Sequence, residues 1–349
     1  VSSSTSGRRA VARPLVVSLV LILGLVACAF GGIWWMQRSL ASNIESLGDP
    51  FAGLEGRPSA GGSVDADEGG AADAMNVLVL GTDSRISAGD PSQWESGAQR
   101  TDTVMLVHVP SDRRSVVVMS IPRDSWVDVP GHGQAKINAA FSYGGPSLTI
   151  ATVEQLTGVL IDHFVVTDFE SFKTITDALG GVRVSLKEDL VVGNDLVPAG
   201  NQQLLTGEQA LSFVRDRASL PRGDFDRMQR QQAWVRAIVA KMRNDGTMGN
   251  PLTAQRFLDT VTRSVAADDG LDAAVVNDLR GLATDVGSND ILFMTVPTLG
   301  TARSADGQSI VELDRPALGE LMESVRSDTV MDYVMSEPGQ FDTLPAVVD

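Results

Sequence analysis

One long apolar run opens the chain, and after it short apolar segments alternate with polar turns. From Pro14 to Met36 there is no charged residue. As a helix that run would rise about 34 Å at 1.5 Å per residue, enough to cross a bilayer core. Residues 37–74 are rich in Gly, Ala, Ser and Asp and poor in large apolar side chains. Such a composition buries too little to offset chain entropy, so a flexible spacer is predicted, with room for a short helix to about Leu47. Order is expected from Met75, where Met75–Leu80 reads as a compact strand that Gly81 lets turn sharply.

Two β-branched runs, Val104–Val109 and Ser115–Ile121, flank a polar turn containing Pro110, Ser111 and Asp112. This pattern predicts a β-hairpin. Antiparallel pairing brings the start of the first strand beside the end of the second, so Asp102 and Arg123 are expected at one edge of the sheet. If Met75–Leu80 runs parallel to the second strand, Asp83 joins them there. Ligands of such sheets bind outside the strand ends. Residues 86–99 read as a loop over that edge.

Further on, Ser147 or Thr149 is placed to cap a helix through Leu156, with Leu148, Val153 and Leu156 on its buried side. Ile161–Val166 and Val182–Leu186 read as strands. Between them Phe169, Phe172, Ile175 and Leu179 fall at helical spacing, read as core rather than ligand surface, and Gly180-Gly181 ends that helix. Thr206 and Gln209 have capping-box spacing for a helix to Val214. Asp224 is a candidate cap for a long helix to about Lys241, on which Arg227 and Gln231 share a face near the N-terminus. Two amphipathic helical patterns follow at Leu252–Ala266 and Leu271–Val286, then a strand at Ile291–Val296 and a helix at Arg315–Val325. Strand–helix alternation of this kind indicates an α/β layered domain.

Charge narrows the function classes. The formal net charge is −16, with 44 acidic against 28 basic residues, which argues against nucleic acid as a partner. The three basic residues ahead of the apolar run, Arg8, Arg9 and Arg13, keep the N-terminus cytoplasmic and place the remainder outside. Leu25-Val26-Ala27-Cys28 resembles a lipobox, but the run stays apolar through Trp35, longer than such a signal needs, so an uncleaved anchor is the reading adopted. Cys28 is the one cysteine, and no intrachain disulfide forms. His108, His132 and His163 show no zinc-ligand spacing.

Arginines at a helix N-terminus are a phosphate signal, because free N–H groups point there and a guanidinium grips two oxygens at once. Arg215 and Arg217 close one helix, and Arg227 opens the next. Asp83 and Asp102 add carboxylate oxygens of the kind magnesium takes alongside phosphate.

With these segments placed, the chain resembles the LytR-CpsA-Psr family of cell-wall ligases. The resemblance runs from Asn76 to about Lys241 and rests on NVLVLGTDSR, RTDTVMLV, SIPRD, KINAAFSYGG, FVRDRAS and GDFDRMQRQQ, in that order. It implies an α–β–α fold with a mixed central sheet, one preceding transmembrane helix, and a lipid tail held in an apolar pocket of the sheet. The implied activity moves a glycosyl phosphate from a polyprenyl-pyrophosphate carrier to a hydroxyl of peptidoglycan, outside the membrane. Asp83 and Asp102 would hold Mg²⁺. Arg123, Arg215, Arg217 and Arg227 would clamp the pyrophosphate, with Arg85, Lys136 and Gln231 bordering it. Asp83, Asp102 and Asp224 are all open as the base. Two other readings share these residues: a polyprenyl-pyrophosphate hydrolase, and a non-enzymatic lipid-binding or regulatory envelope protein. The expected division is a cytoplasmic N-terminus (1–13), an anchor (14–36), a spacer (37–74), a catalytic domain (75–333) and a loosely ordered tail (334–349).

Overall fold

The computed structural model describes residues 42–59, 73–82, 101–217, 219–244, 251–287 and 289–349. The expected anchor, the loop at 86–99, Asp83 and Arg85 lie outside the described residues. Among those described, no helix is long and apolar enough to cross a membrane.

In chain order the elements begin with β1 (Glu45–Ser46), β2 (Met75–Thr82), β3 (Thr101–Val109), β4 (Val116–Ser120), β5 (Trp126–Val129), β6 (Gly133–Lys136) and α1 (Ala139–Thr157). They continue with β7 (His163–Asp168), α2 (Phe169–Ala178), β8 (Val182–Leu186), β9 (Leu190–Val192), β10 (Asp195–Val197), β11 (Gly200–Leu205), α3 (Gly207–Arg215) and α4 (Asp224–Asn244). The last are α5 (Pro251–Thr262), β12 (Val265–Ala267), α6 (Ala273–Asp285), β13 (Ile291–Thr295), β14 (Thr298–Arg303), β15 (Ser309–Leu313), α7 (Arg315–Arg326), α8 (Val330–Ser336) and β16 (Asp342–Thr343).

Eight described strands form one mixed sheet in the order β1-β12-β7-β2-β3-β4-β13-β16. The stretch β2-β3-β4 is antiparallel throughout, while β7 and β13 pair in parallel with β2 and β4. Alternation along these strands sets the layers. Leu78, Leu80, Leu106, Val117 and Met119 face one side, packed with Ala140 and Ile150 of α1 and Leu318 and Leu321 of α7. Val77, Met105, Val116, Val118 and Phe293 face the other, against Val235 of α4 and Leu279 of α6. A second cluster joins α2, α3 and α4 to β8 through Ile175, Val184, Phe213 and Ala237. The described chain is thus α–β–α with a mixed sheet.

Several expectations are corrected. Residues 42–59 are not a free spacer, nor helical to Leu47: β1 pairs in parallel with β12 through Glu45↔Ala266, and Leu47 is buried. Arg57 then ties this segment down, with Nε 3.1 Å from both Glu154 carboxylate oxygens and Nη2 2.6 Å from the Ile161 carbonyl. The tail is not loose either. β16 adds an edge strand to β13, Phe341 and Val348 are 7% and 1% exposed, and Arg230 donates to the Asp349 carbonyl. Val265 and Ala266, read as the end of a helix, belong instead to the strand Val265–Ala267 that receives β1. Helix α1 starts at Ala139, ahead of the expected cap, and bends at Gly144 and Gly145. Gly145 has φ 63° and ψ −151°, a conformation other residues avoid, and Thr149 bonds back to its carbonyl instead of capping. Gly81 does not turn the chain but lies within β2, where a Cβ would come within 3.0 Å of the Thr103 side chain.

At the far end of the sheet His108 is buried between Asn76 and Asp328, its Nε2 3.0 Å from Asp328 Oδ1. Asp328 also accepts from the Ser111 hydroxyl and N–H. Burial alone would raise its carboxyl, but the bonds from His108 and Ser111 outweigh that and hold it below the ordinary value. A depressed carboxyl contributes stability above its unfolded value of about 4 and loses it as pH falls through the folded value. Asp328→Asn is expected to lower stability at neutral pH by about 1–2 kcal/mol and to flatten the acid decline. Because Asp328 has φ 58°, where Asn is also at ease, denaturant melts at pH 7 and pH 3 isolate the charge.

Candidate functional site

The site is built by a turn at the end of β4. Pro122 to Ser125 closes with Ser125 N–H donating to the Pro122 carbonyl at 2.9 Å. Ile137 and Asn138 then donate to the Ser125 and Arg123 carbonyls, clamping the segment after β6 onto the same turn. The result is that Arg123, Asp124 and Lys136 converge, with Lys136 Nζ 3.0 Å from Asp124 Oδ1. Across the hairpin Asp102 of β3 pairs with Arg123, as the antiparallel register requires.

Helix α4 brings the other half. Asp224 is its first residue, and its Oδ1 lies 2.7 Å from Arg227 Nη2 and 3.6 Å from Arg123 Nε. Arg227 Nη2 also donates to the Asp102 carbonyl at 3.1 Å, and Nη1 is 3.8 Å from Asp102 Oδ1. Asp102, Asp124 and Asp224 therefore alternate in space with Arg123, Arg227 and Lys136. Both arginine side chains are largely buried, 15% exposed for Arg123 and 6% for Arg227. Each keeps a buried Nε with no hydrogen-bond partner.

Burial and charge pull these groups in different directions. Burial alone would lower Arg123, but Asp224, Asp102 and Asp124 outweigh it and raise it. Burial wins at Arg227 and lowers it, opposed by Asp224 and aided by Arg123 and Arg217. Burial likewise raises Asp224, although Arg227 and Arg123 pull it down.

Beside this cluster an apolar cavity of about 100 Å³ lies between the sheet and α2, α3 and α4, lined by Val79, Met105, Phe172, Val214, Trp234 and Val235 among others. Thr103, next to Asp102, and Gln231, one turn after Arg227, border it. Gln231 is buried with its Oε1 unpartnered. Phe172 stacks on Trp234 with centroids 3.6 Å apart. Phe172 was read as plain core; it is packed against Trp234, but it also walls a cavity.

The LytR_cpsA_psr family model matches residues 54–327. The chain belongs to the LytR_cpsA_psr family. It is 30% identical over 342 residues to the cell wall biosynthesis protein LcpA of Corynebacterium glutamicum, covering 86% of this chain and 63% of that one. It is also 30% identical over 301 residues to the polyisoprenyl-teichoic acid–peptidoglycan teichoic acid transferase TagU of Halalkalibacterium halodurans, covering 82% and 94%. The chain thus spans less than two thirds of LcpA's length. Among solved structures, TagT bound to LI-WTA superposes with a TM-score of 0.59 at 26% identity, over 79% of this chain and 98% of that one. The Bacillus subtilis TagT structure gives 0.58 at 25%, over 78% and 97%. The LytR_cpsA_psr match starts at Leu54, inside the segment read as spacer, in keeping with the packing of Phe51 and Leu54 against the core.

Of the residues expected at the LytR_cpsA_psr site, the structure brings Asp102, Arg123, Arg227 and Lys136 together, with Gln231 one helical turn away. Arg215 and Arg217 are exposed, at the end of α3 and just beyond it, and Arg217 reaches the cluster through its charge on Arg227. Asp83 and Arg85 lie outside the described residues. Asp124 was missed, although an acid directly after Arg123 on a tight turn was a usable signal. Gln232 was missed too: its Nε2 donates to Ser120 Oγ and the Met294 carbonyl, both at 2.8 Å, fixing α4 over β4 and β13.

Proposed function

We propose that this chain is a membrane-anchored, extracytoplasmic transferase. In this reading it moves a glycosyl phosphate from a polyprenyl-pyrophosphate carrier to a hydroxyl of peptidoglycan. The observation that supports this most is the pair of buried arginines, each with an Nε that makes no hydrogen bond, beside an apolar cavity. Buried donors without acceptors are rare and call for a ligand, and a guanidinium matches phosphate oxygens. The relatives named as teichoic acid transferases agree with that substrate class.

Arg123 and Arg227 bind the pyrophosphate and neutralise charge that builds on the leaving phosphate. Arg217, Arg215, Arg85 and Lys136 supply the outer ring of positive charge. The first isoprene unit of the polyprenyl chain enters the apolar cavity past Gln231. An acceptor oxygen attacks the phosphorus bonded to the glycan, the bridging P–O bond breaks, and polyprenyl phosphate leaves. The acceptor proton goes to a carboxylate. Of the three open candidates, Asp224 suits the task best, because burial raises it towards a useful basicity while substrate draws the arginines away.

Magnesium fits the donor set in part. Among the described residues no group of three or more His, Cys, Asp or Glu is arranged to hold a metal. Yet Mg²⁺ commonly takes one or two carboxylates and completes its shell with water and phosphate. Asp102 and Asp83 would hold it, where it would neutralise phosphate oxygens.

Asp224→Asn tests the base. The rate should rise with pH as Asp224 deprotonates, above the usual carboxylate range. The substitution is expected to lower transfer about 10²-fold, remove that acid limb and leave donor binding within a factor of a few. An unchanged acid limb would transfer the role to Asp102 or Asp83.

A further inference from the structure

We infer that the groove between the first turn of α4 and the β14–β15 hairpin is the acceptor site, and that it binds a neutral glycan chain. This rests on the transferase reading only in requiring that an acceptor sugar reach Asp224. The groove is about 890 Å³ and is lined by Arg222, Phe225, Thr295, Thr298, Thr301 and Asp342, among others. That volume is far more than a phosphate needs and suits two or more sugar rings.

Its position follows from register. Thr295 pairs with Ser120, three residues before Arg123, which is at most about 10 Å of chain. The hairpin wall is bonded to the site turn itself: Val311 N–H donates to the Asp124 carbonyl at 2.9 Å, and Ser125 bridges to Val311. Phe225 directly follows Asp224. The apolar cavity lies on the Gln231 and Trp234 side of α4 and the groove on the Phe225 side, so the Asp224–Arg227 turn stands between them. A donor held on one side and an acceptor on the other meet at Asp224.

The lining decides the chemistry. Hydroxyls, an amide and one half-buried aromatic ring offer hydrogen bonds and a flat apolar face, the pairing that sugar rings use. Thr295, 2% exposed, has a hydroxyl with no partner at the groove's floor. Among the described residues the one cation lining the groove, Arg222, already holds Asp226 and Asp342. With Asp314 and Asp342 also present, a polyphosphate chain would meet repulsion here. A neutral glycan backbone would not.

The test uses the full chain in mild detergent with a soluble β-1,4-linked N-acetylated tetrasaccharide as probe. Binding is measured by calorimetry, and polyprenyl-pyrophosphate cleavage is followed separately, without the probe and with water as the acceptor. Thr301→Trp fills the groove from an exposed strand position and should weaken the probe at least tenfold while leaving cleavage unchanged. Phe225→Ala should weaken it about fivefold. Unaltered probe binding in Thr301→Trp, or no probe binding by the parent chain, overturns the assignment even when cleavage is intact. Absence of cleavage even when the probe is added as acceptor, with probe binding that Thr301→Trp abolishes, leaves the groove standing and removes the transferase reading.

Discussion

Arg123→Ala is expected to lower transfer by about 10²–10³-fold, the effect of removing one preorganised donor from developing charge. The loss should appear in kcat more than in KM, since Arg227 and the apolar cavity still hold the donor. Arg123 is also the cation that separates Asp102, Asp124 and Asp224, with Asp102 paired to it and Asp224 at 3.6 Å. Removing it leaves three carboxylates facing Arg227 and Lys136, so some local loosening accompanies the catalytic loss. Arg123→Lys separates the two effects. It keeps the charge and hence the melting temperature, but a point charge cannot reproduce the planar fork, and transfer should remain at least tenfold down. Full activity in Arg123→Lys would show that charge alone matters at this position.

The second large effect is on stability. Deleting Glu337–Asp349 should cost about 3–6 kcal/mol, from exposing the sites that Phe341 and Val348 fill. It also removes the edge strand, leaving β13 with an unpaired row of backbone groups and a tendency to aggregate. The Asp349 carbonyl accepts from Arg230, and Asp342 accepts from Arg222 and Gln229, so α4 loses anchors along its length. Urea unfolding of the truncated and full chains measures the difference. Equal midpoints would mean that the tail is a passenger.

What the sequence disclosed and what it hid follow one physical division. The β3–β4 hairpin, the Thr206–Gln209 capping box and the long α4 were legible, because each is written in contiguous residues with a period or a cap. The Asp102–Arg123 meeting was legible for the same reason, since a hairpin's register joins its two ends. The pairing of Glu45 with Ala266 was not. Two-residue strands carry no period, and their partners are fixed by the rest of the sheet. The tail was misread on composition, because Phe341 and Val348 are isolated apolar residues whose burial depends on a surface built elsewhere. The start of α1 was misplaced because Ser147 and Thr149 read as caps, while Ala139–Tyr143, about one and a half turns of helix, precede the bend at Gly144 and Gly145. The cavity at Phe172 was hidden because a helical apolar stripe does not say whether its neighbours close against it.

The most direct test of the central claim follows where the donor's phosphorus goes. The full chain in detergent would be given Mg²⁺, a polyprenyl-pyrophosphate saccharide labelled in the sugar-linked phosphate, and soluble peptidoglycan fragments. The account predicts label on the fragment as a phosphodiester, with polyprenyl phosphate released in equal amount, both abolished by Arg227→Ala or by chelation. Label released only as free sugar phosphate, at a rate indifferent to the fragments, would contradict it and make the protein a hydrolase.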